Sequence, residues 1–164
     1  MIEEIIKIIE QRFQKEGKQI AVKETQTLEL YDCKLTITQS AIAELVKSCE
    51  QYKPATHEDE IEREQILDFF HDEIRIFDDE HTRQAVYQPK YEGNKKLAAC
   101  LSCLQLIIRD GKLDCHVFIR SQNFDKNFVY DCITFSILIN SIAFHLKKEV
   151  GTIHLKIISL HKII

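Results

Sequence analysis

The sequence predicts an α+β protein in which helices pack on a mixed β-sheet, and three observations carry this prediction. Residues 96–121 read as two strands joined at Asp110-Gly111, a dipeptide that strongly favours a two-residue hairpin turn. Residues 128–147 form an apolar run with few charges, which predicts a buried helix. Alternation over residues 153–158 predicts a further strand. Strands, a central buried helix and another strand together indicate a mixed sheet with helices on it.

The N-terminal part of the chain is predicted to add a helix and two strands. Apolar residues recur at helical spacing as far as Phe13, and Gly17 is placed to end that amphipathic helix. Alternating β-formers then predict strands over residues 20–22 and 28–38. These strands extend the same sheet.

Two more helices are predicted before the hairpin. Ser40 is the expected N-cap of a helix over residues 41–51. Residues 54–58 read as a linker, and an acidic helix follows over residues 58–71. Its single apolar stripe is predicted to consist of Ile61, Gln65 or Leu67, and Phe69.

Length and composition predict one folded domain over residues 1–164 and exclude several classes of protein. With 45% hydrophobic and 29% charged residues and only 4 Gly and 2 Pro, the chain is neither disordered nor low in complexity. The net charge is −4, and the acidic residues concentrate between Thr56 and Glu80, which argues against binding duplex nucleic acid. Polar residues interrupt the apolar stretches short of the ~20 residues that cross a bilayer, so no membrane span is expected.

The context of the six cysteines predicts reduced thiols in the cytoplasm. Met1-Ile2-Glu3-Glu4 is acidic and no apolar segment follows, so no secretory leader is expected. Cys100 and Cys103 have the spacing of a zinc site, but positions three apart on a strand point to opposite faces, so no metal is expected. All except Cys100 are expected to be small buried hydrophobes: Cys33, Cys49, Cys103, Cys115 and Cys132.

The surroundings of Cys100 resemble those of a cysteine in one enzyme family, in both residue type and spacing. Leu97-Ala98-Ala99-Cys100 is followed after nine residues by Asp110-Gly111-Lys112-Leu113-Asp114-Cys115, and then by Arg120-Ser121. These segments resemble, without a gap, the nucleophile strand and the phosphate-binding segment of the thymidylate synthase and pyrimidine hydroxymethylase family. The resemblance extends from the region of residue 20 to the C-terminus and is specific from residue 79 to 143.

Other segments resemble further parts of that family's site. Asp79 with Thr82-Arg83-Gln84-Ala85-Val86 resembles the arginine segment that reaches the phosphate in a neighbouring subunit. Asp131 stands ten residues after Ser121, at the position that reads the pyrimidine edge. Gly151 with His161 resembles the segment that meets the sugar, and the helix containing Glu44 resembles the one that supplies a glutamate.

The resemblance implies a homodimeric enzyme that transfers a one-carbon group to C5 of a pyrimidine nucleotide, with 5,10-methylenetetrahydrofolate as donor. Cys100 would be the nucleophile and Glu44 a proton relay. The substrate contacts would come from Arg83, Arg120 and Ser121 at the phosphate, Asn123 beside them, Asp131 at the base and His161 at the sugar. A thiolate is the attacking species, so the cysteine needs cationic neighbours, and Arg120 is one candidate.

Four of these residues also have ordinary interpretations without a catalytic or binding role, which the sequence leaves open. Arg83 and Arg120 are also compatible with surface salt bridges, and Asp131 is typical of a helix N-cap. His161 is also compatible with no functional role. If Asp131 does read the base, it argues for cytosine, because a carboxylate accepts from the cytosine N4–H₂ group, where uracil presents a carbonyl.

The chain departs from the family pattern, and the departures support a second hypothesis. It has no Trp, Leu101 follows the cysteine in place of His, Asn123 replaces an Asp, and Ile163 replaces a Tyr. The family also continues beyond the position of Ile164 with a tail that closes over folate. The alternative is therefore a non-catalytic protein of the same fold that binds or sequesters a nucleotide without folate.

The hairpin makes the catalytic hypothesis testable in the backbone. A regular ladder from Asp110-Gly111 pairs Cys100 with Ser121 and places Arg120 on the opposite face from the thiol. One β-bulge shifts the register by one residue and returns Arg120 to the face of Cys100. We therefore predict a bulge within residues 101–108 or 114–120, with the guanidinium close to the sulfur.

Overall fold

The computed structural model describes residues 2–22, 24–49, 57–79, 81–89 and 100–164. The regular elements in this part of the chain, in order, are α1 (Ile2–Glu16), β1 (Lys18–Val22), β2 (Thr25–Ile37), α2 (Gln39–Lys47), α3 (His57–Asp72), β3 (Val86–Tyr87), β4 (Leu101–Arg109), β5 (Lys112–Asn123), α4 (Val129–His145) and β6 (Glu149–Ile163). A 3₁₀ turn, Ile74–Asp78, follows α3, and a π-helical turn, Phe124–Phe128, leads into α4.

Six strands form one mixed sheet in the order β1-β2-β6-β5-β4-β3. Only β5 and β6 run parallel; the other neighbours are antiparallel. A parallel pair needs a long crossover, and α4 provides it. The predicted α+β class with a mixed sheet and a central helix is confirmed.

The first two helices show one correct boundary and one wrong one. α1 ends as predicted, where the backbone N–H of Gly17 donates to the Phe13 carbonyl at 3.1 Å. The prediction that Ser40 caps α2 is wrong: Thr38 is the N-cap, and Ser40 lies in the first turn, where the two hydroxyls share a hydrogen bond of 3.1 Å. α2 also ends early, because the hydroxyl and backbone N–H of Ser48 bond to carbonyls of its last turn.

The acidic helix α3 forms as predicted, but its apolar stripe has a different phase. Ile66 and Phe70, four residues apart, are its buried side chains, whereas Gln65 is exposed. Leu67 and Phe69 are half-buried, and the Ile61 side chain lies outside the described residues. The prediction is right in part, since Leu67 and Phe69 pack against the core, but α3 contacts both α4 and β3, and the Ile66 row is the one buried there. Most of the predicted linker also lies outside the described residues.

The predicted hairpin is confirmed from Leu101 onward; residues 96–99 lie outside the described part. Asp110 and Gly111 both have positive φ, 51° and 75°, as a type I′ turn requires. Arg109 pairs with Lys112 directly across it. The turn therefore sets the register in which β4 and β5 begin.

α4 is the buried helix that the sequence predicts, with ten buried residues among seventeen. Together with the π-helical turn, it forms a 22-residue stretch, Phe124–His145, that is long and apolar enough to cross a membrane by length and composition. No membrane span is expected from the sequence, and this stretch is longer and more apolar than that expectation assumed. Within the protein, 61% of its most apolar window is buried, and the core helix of a soluble protein has the same composition.

The core lies on one face of the sheet, and all four helices contribute buried residues to it. On three neighbouring strands the alternation of buried and outward-facing side chains is interrupted, because two residues instead of one lie between successive buried positions. We call this interruption the kink. The pairs of buried residues are Leu30 and Cys33 on β2, Ile157 and Leu160 on β6, and Ile119 and Gln122 on β5. Asp32, within this kink, has a positive φ of 53°. The kink changes which side chains face the core near the ends of these strands.

The other face of the sheet, which we call the open face, carries half-buried and exposed side chains. Among them are Gln105, Ile107, His116, Phe118, His154 and Lys156, which alternate with the core positions of β4, β5 and β6. The Lys156 ammonium lies 5.9 Å from the centre of the Phe118 ring and 3.3 Å from the Asp32 carboxylate. This face mixes aromatic, aliphatic and charged groups.

Candidate functional site

A β-bulge at the start of β4 brings Cys100 opposite Arg120. The register changes between Leu101, which pairs with Ile119, and Cys103, which pairs with Phe118, so Ser102 is the extra residue. The backbone N–H of Arg120 donates to the Cys100 carbonyl at 2.9 Å. The predicted bulge is confirmed. Directly opposed residues have Cβ atoms about 4.5–5.5 Å apart on one face, so both exposed side chains extend from the same side of the hairpin.

Exposure separates Cys100 from the other cysteines. None of the six forms a disulfide within the described structure, and Cys100 is the exposed one. Burial raises the pKa values of the Cys33, Cys115 and Cys132 thiols, and the Arg12 guanidinium only partly opposes the shift at Cys33. Because only the thiolate is a nucleophile, these buried thiols are poor candidates for chemistry.

The bulge also changes the relationship between Cys100 and Cys103. Phe118 and Arg120, their respective neighbours on β5, both lie outside the core face, so the two cysteines share a face. The expectation that they face opposite sides is wrong, because it assumed a regular strand. Within the described residues, no three His, Cys, Asp or Glu side chains are grouped so that they could hold a metal ion.

Polar side chains gather at the end of the sheet where β5 and β6 finish and β2 and β4 begin. Asn123 and His161 are directly paired in register, and His161 also pairs with Glu29. Ser121 pairs with Ser159, whose hydroxyl donates to the Glu29 carboxylate. Hydroxyl, amide, imidazole and carboxylate groups from three adjacent strands therefore lie in neighbouring rows.

Asn123 has a local structural role, and Gly151 lies away from this group of polar side chains. Asn123 caps the π-helical turn, because its side-chain oxygen accepts from the Lys126 backbone N–H at 3.0 Å. Gly151 lies near the opposite end of β6 from His161, beside Asp114. The structure therefore does not bring Gly151 and His161 together.

Asp131 lies in the first turn of α4, on the helix side of the sheet. Its carboxylate accepts a hydrogen bond from the Gln122 amide. The interpretation of Asp131 as a helix N-cap is wrong: Phe128 occupies the cap position, because the π-helical turn starts the helical path before α4. Asp131 is held from β5 instead.

Glu44 is exposed on α2, which packs against α4. Its neighbour Leu45 is buried and lines a small apolar cavity together with Val129 and Cys132 from the start of α4. Glu44 and Asp131 are therefore carried by helices that meet at the same end of α4.

Arg83 is exposed at the outer edge of the sheet, on the segment that leads into β3. Its backbone carbonyl accepts from the Gln105 amide at 2.9 Å, and Gln105 belongs to the open face. The segment is also fixed two residues later, where the backbone N–H of the buried Leu106 donates to the carbonyl of the buried Ala85 at 2.9 Å. Arg83 is thus held beside the open face.

Sequence reasoning missed Gln122 and Glu29. Gln122 is only 2% exposed although it is polar, and Glu29 contacts Ser159 beside His161. For Glu29, the signal was a carboxylate inside the alternating run Leu28-Glu29-Leu30. Gln122 gave no such signal, because its burial depends on the kink in β5.

No protein-family model matches this chain. A search of curated proteins likewise finds no significant match.

Proposed function

We propose that this protein is a pyrimidine nucleoside monophosphate C5 transferase with a thymidylate synthase-like fold, acting by hydroxymethylation of cytidylate or methylation of uridylate. The observation that carries the proposal is the exposed Cys100 thiol directly opposite Arg120 across the bulge. A cation beside a thiol favours the thiolate, which is the reactive form. Free cysteines fit a reducing compartment such as the cytoplasm.

The chemistry requires a nucleophile because C5 of a pyrimidine is weakly nucleophilic by itself. The Cys100 thiolate adds to C6 and forms a carbon–sulfur bond, and the electron pair moves to C5 and the carbonyl, which makes C5 an enamine-type carbon. Loss of the C5 proton and departure of the thiolate restore the ring after substitution. Glu44, exposed on α2, is the proposed proton relay for this step.

The resemblance implies 5,10-methylenetetrahydrofolate, which would supply the carbon joined to C5. A large open depression, lined by Arg109, Asp110 and Thr152, lies at the turn end of the sheet, the opposite end from Cys100. It does not offer folate a place beside the thiol.

Phosphate binding would use the guanidinium of Arg120 and the hydroxyl of Ser121. Guanidinium groups bind phosphate oxygens through two parallel hydrogen bonds, and a hydroxyl adds another. Asn123 and His161 are paired two residues further along the same strands and would bind the sugar. Asp131, held by Gln122 at the same end of the sheet as Cys100 and Arg120, would bind the base edge.

The second phosphate ligand would be Arg83 of a second copy of this chain. The open face has half-buried Ile107 and Phe118 and carries no second layer within the described residues, which favours pairing with an identical face. Arg83 sits at the edge of that face through Gln105. A homodimer formed there would bring each Arg83 towards its neighbour.

The deciding experiment is mass spectrometry of the protein after incubation with a 5-fluoropyrimidine nucleoside monophosphate, with and without methylenetetrahydrofolate. Fluorine at C5 cannot leave as a proton does, so a transferase is trapped as a covalent adduct on Cys100. Cys100→Ser removes the adduct, and the five other cysteines serve as internal controls.

An adduct that requires folate supports the transferase. Nucleotide binding without an adduct supports the alternative, a non-catalytic nucleotide-binding protein of the same fold. Absence of nucleotide binding overturns both.

A further inference from the structure

Gln122 is a buried residue whose side-chain nitrogen has a hydrogen-bond partner, whereas its side-chain oxygen has none within the described structure. The residue is 2% exposed, near the end of β5. Its Nε2 group donates to the Asp131 carboxylate, whereas its Oε1 atom is buried and has no hydrogen-bond partner within the described structure. Buried polar atoms are paired in the great majority of cases, so an unpaired one calls for an explanation.

The orientation of the amide follows from its neighbour. An ionised carboxylate only accepts hydrogen bonds, so the amide must turn its N–H₂ group towards Asp131. The Oε1 atom is then directed away from the carboxylate and is left as an acceptor. Flipping the amide would set an oxygen against the carboxylate oxygen, which is repulsive.

The pair therefore presents acceptors to any group that reaches it. A carboxylate has capacity for about four hydrogen bonds, so one bond from Gln122 does not exhaust the acceptor capacity of Asp131. The Gln122 Oε1 atom adds one acceptor beside it. An amino group with two hydrogens satisfies both residues, whereas a carbonyl oxygen would meet only acceptors.

We propose that Gln122 is a specificity-determining residue: it fixes the Asp131 carboxylate and accepts the second hydrogen of a pyrimidine amino group. The inference rests on the proposed function and narrows it to cytidylate. The cytosine N4–H₂ group donates to Asp131 and Gln122 together. Uracil carries O4 at that position and offers the Gln122 Oε1 atom no donor.

The test compares the affinities of cytidine and uridine 5′-monophosphates by calorimetry on the full chain. Gln122→Met keeps the volume of the side chain and removes the amide. Its affinity for cytidylate is expected to fall about tenfold, with little change for uridylate, because one buried hydrogen bond is lost only with the amine. Thr134→Val is the matched control. It removes the buried, unpaired hydroxyl oxygen of Thr134, which lies on α4 and outside the proposed contact.

A second variant tests the orientation by its pH dependence. In Gln122→Glu, two carboxyl groups share one proton at low pH, so the protonated group donates to Asp131 and keeps a carbonyl acceptor, as glutamine does. The preference for cytidylate is expected at acidic pH, where the pair keeps its shared proton, and is expected to be lost as the proton leaves. A role limited to packing predicts no such pH profile.

The outcomes separate the inference from the proposed function. If the unmodified protein binds neither nucleotide, the proposed function fails and this inference fails with it. If it binds cytidylate and Gln122→Met retains the same cytidylate-to-uridylate ratio, only the inference is overturned. If Gln122→Met does not fold, judged by circular dichroism, the pH profile of Gln122→Glu decides, and a flat profile overturns the inference.

Discussion

The imidazole rings of His116 and His154 stack on the open face, with centroids 4.7 Å apart and planes inclined by 19°. The two residues are directly paired on the parallel strands β5 and β6. Burial lowers the pKa of His116, the proximity of His154 lowers it further, and the Asp114 carboxylate partly opposes the shift. The folded protein therefore favours a neutral His116.

This arrangement predicts that stability decreases in mild acid. Because the pKa of His116 is lower in the folded state than in the unfolded chain, the unfolded chain binds more protons as the pH falls below about 6.5. The free energy of unfolding is expected to decline from that pH towards the lowered pKa. In urea unfolding, the free energy of unfolding of His116→Gln should change less with pH in this range than that of the unmodified protein. His81→Gln, a control in an exposed loop, should behave like the unmodified protein. Equal slopes in all three proteins would exclude this origin.

The open face predicts a homodimer at micromolar concentration. Phe118→Asp places a charge on that face and is expected to shift the sedimentation coefficient to that of a monomer. Phe144→Asp is the matched control, because Phe144 is 84% exposed at the end of α4, away from this face. A monomeric unmodified protein would contradict the prediction and remove the partner's Arg83 from the proposed phosphate site.

Alkylation should identify Cys100 as the most reactive thiol. With limiting iodoacetamide at neutral pH, peptide mass spectrometry is expected to find Cys100 modified first, because it is exposed and lies opposite Arg120. Arg120→Ala should slow the reaction severalfold, whereas Arg109→Ala, on the same strand pair, should leave its rate unchanged. Equal rates in both variants would show that Arg120 does not promote the thiolate.

Replacing Asp131 tests base recognition. Asp131→Asn is expected to shift the relative affinity from cytidylate towards uridylate by about tenfold, since an amide both donates and accepts whereas a carboxylate only accepts. Calorimetry with the two monophosphates measures the shift. An unchanged ratio would assign Asp131 a structural role through Gln122 alone.

A side chain at position 151 is expected to destabilise the folded protein. The backbone N–H of Thr152 donates to the Asp114 carboxylate at 2.7 Å, and this contact fills the space beside Gly151. A Cβ atom there would also lie 2.7 Å from the Leu113 carbonyl oxygen. Gly151→Ala is expected to lower the free energy of unfolding by about 1–3 kcal/mol, as overpacking does.

Gly111→Ala is the comparison for this variant, because only its positive φ opposes the substitution and its surroundings are open. Urea unfolding measures both variants. Unfolding of Gly151→Ala at the same urea concentration as the unmodified protein would show that the backbone yields at low cost.

Local features were predictable from the sequence because they depend on neighbouring residues. Asp110-Gly111 determined the hairpin turn, since both residues adopt positive φ more readily than most. Gly17 ended α1, and the apolar run after residue 128 formed the buried helix. The bulge beside Cys100 was predictable for a different reason: the proposed chemistry required Arg120 on the face of the thiol, and a regular ladder from that turn excluded it.

The tertiary structure decided what depends on contacts between distant residues. The phase of the α3 stripe, with Ile66 and Phe70 buried, follows from packing on α4 and β3, which no local pattern records. The kink across β2, β6 and β5 turns Gln122 into the core, and only there does its amide meet Asp131. Local periodicity encodes which side of one element is apolar; it does not encode where the register of neighbouring strands changes. The Gln122–Asp131 contact therefore appears only when the strands have paired and α4 has packed across them.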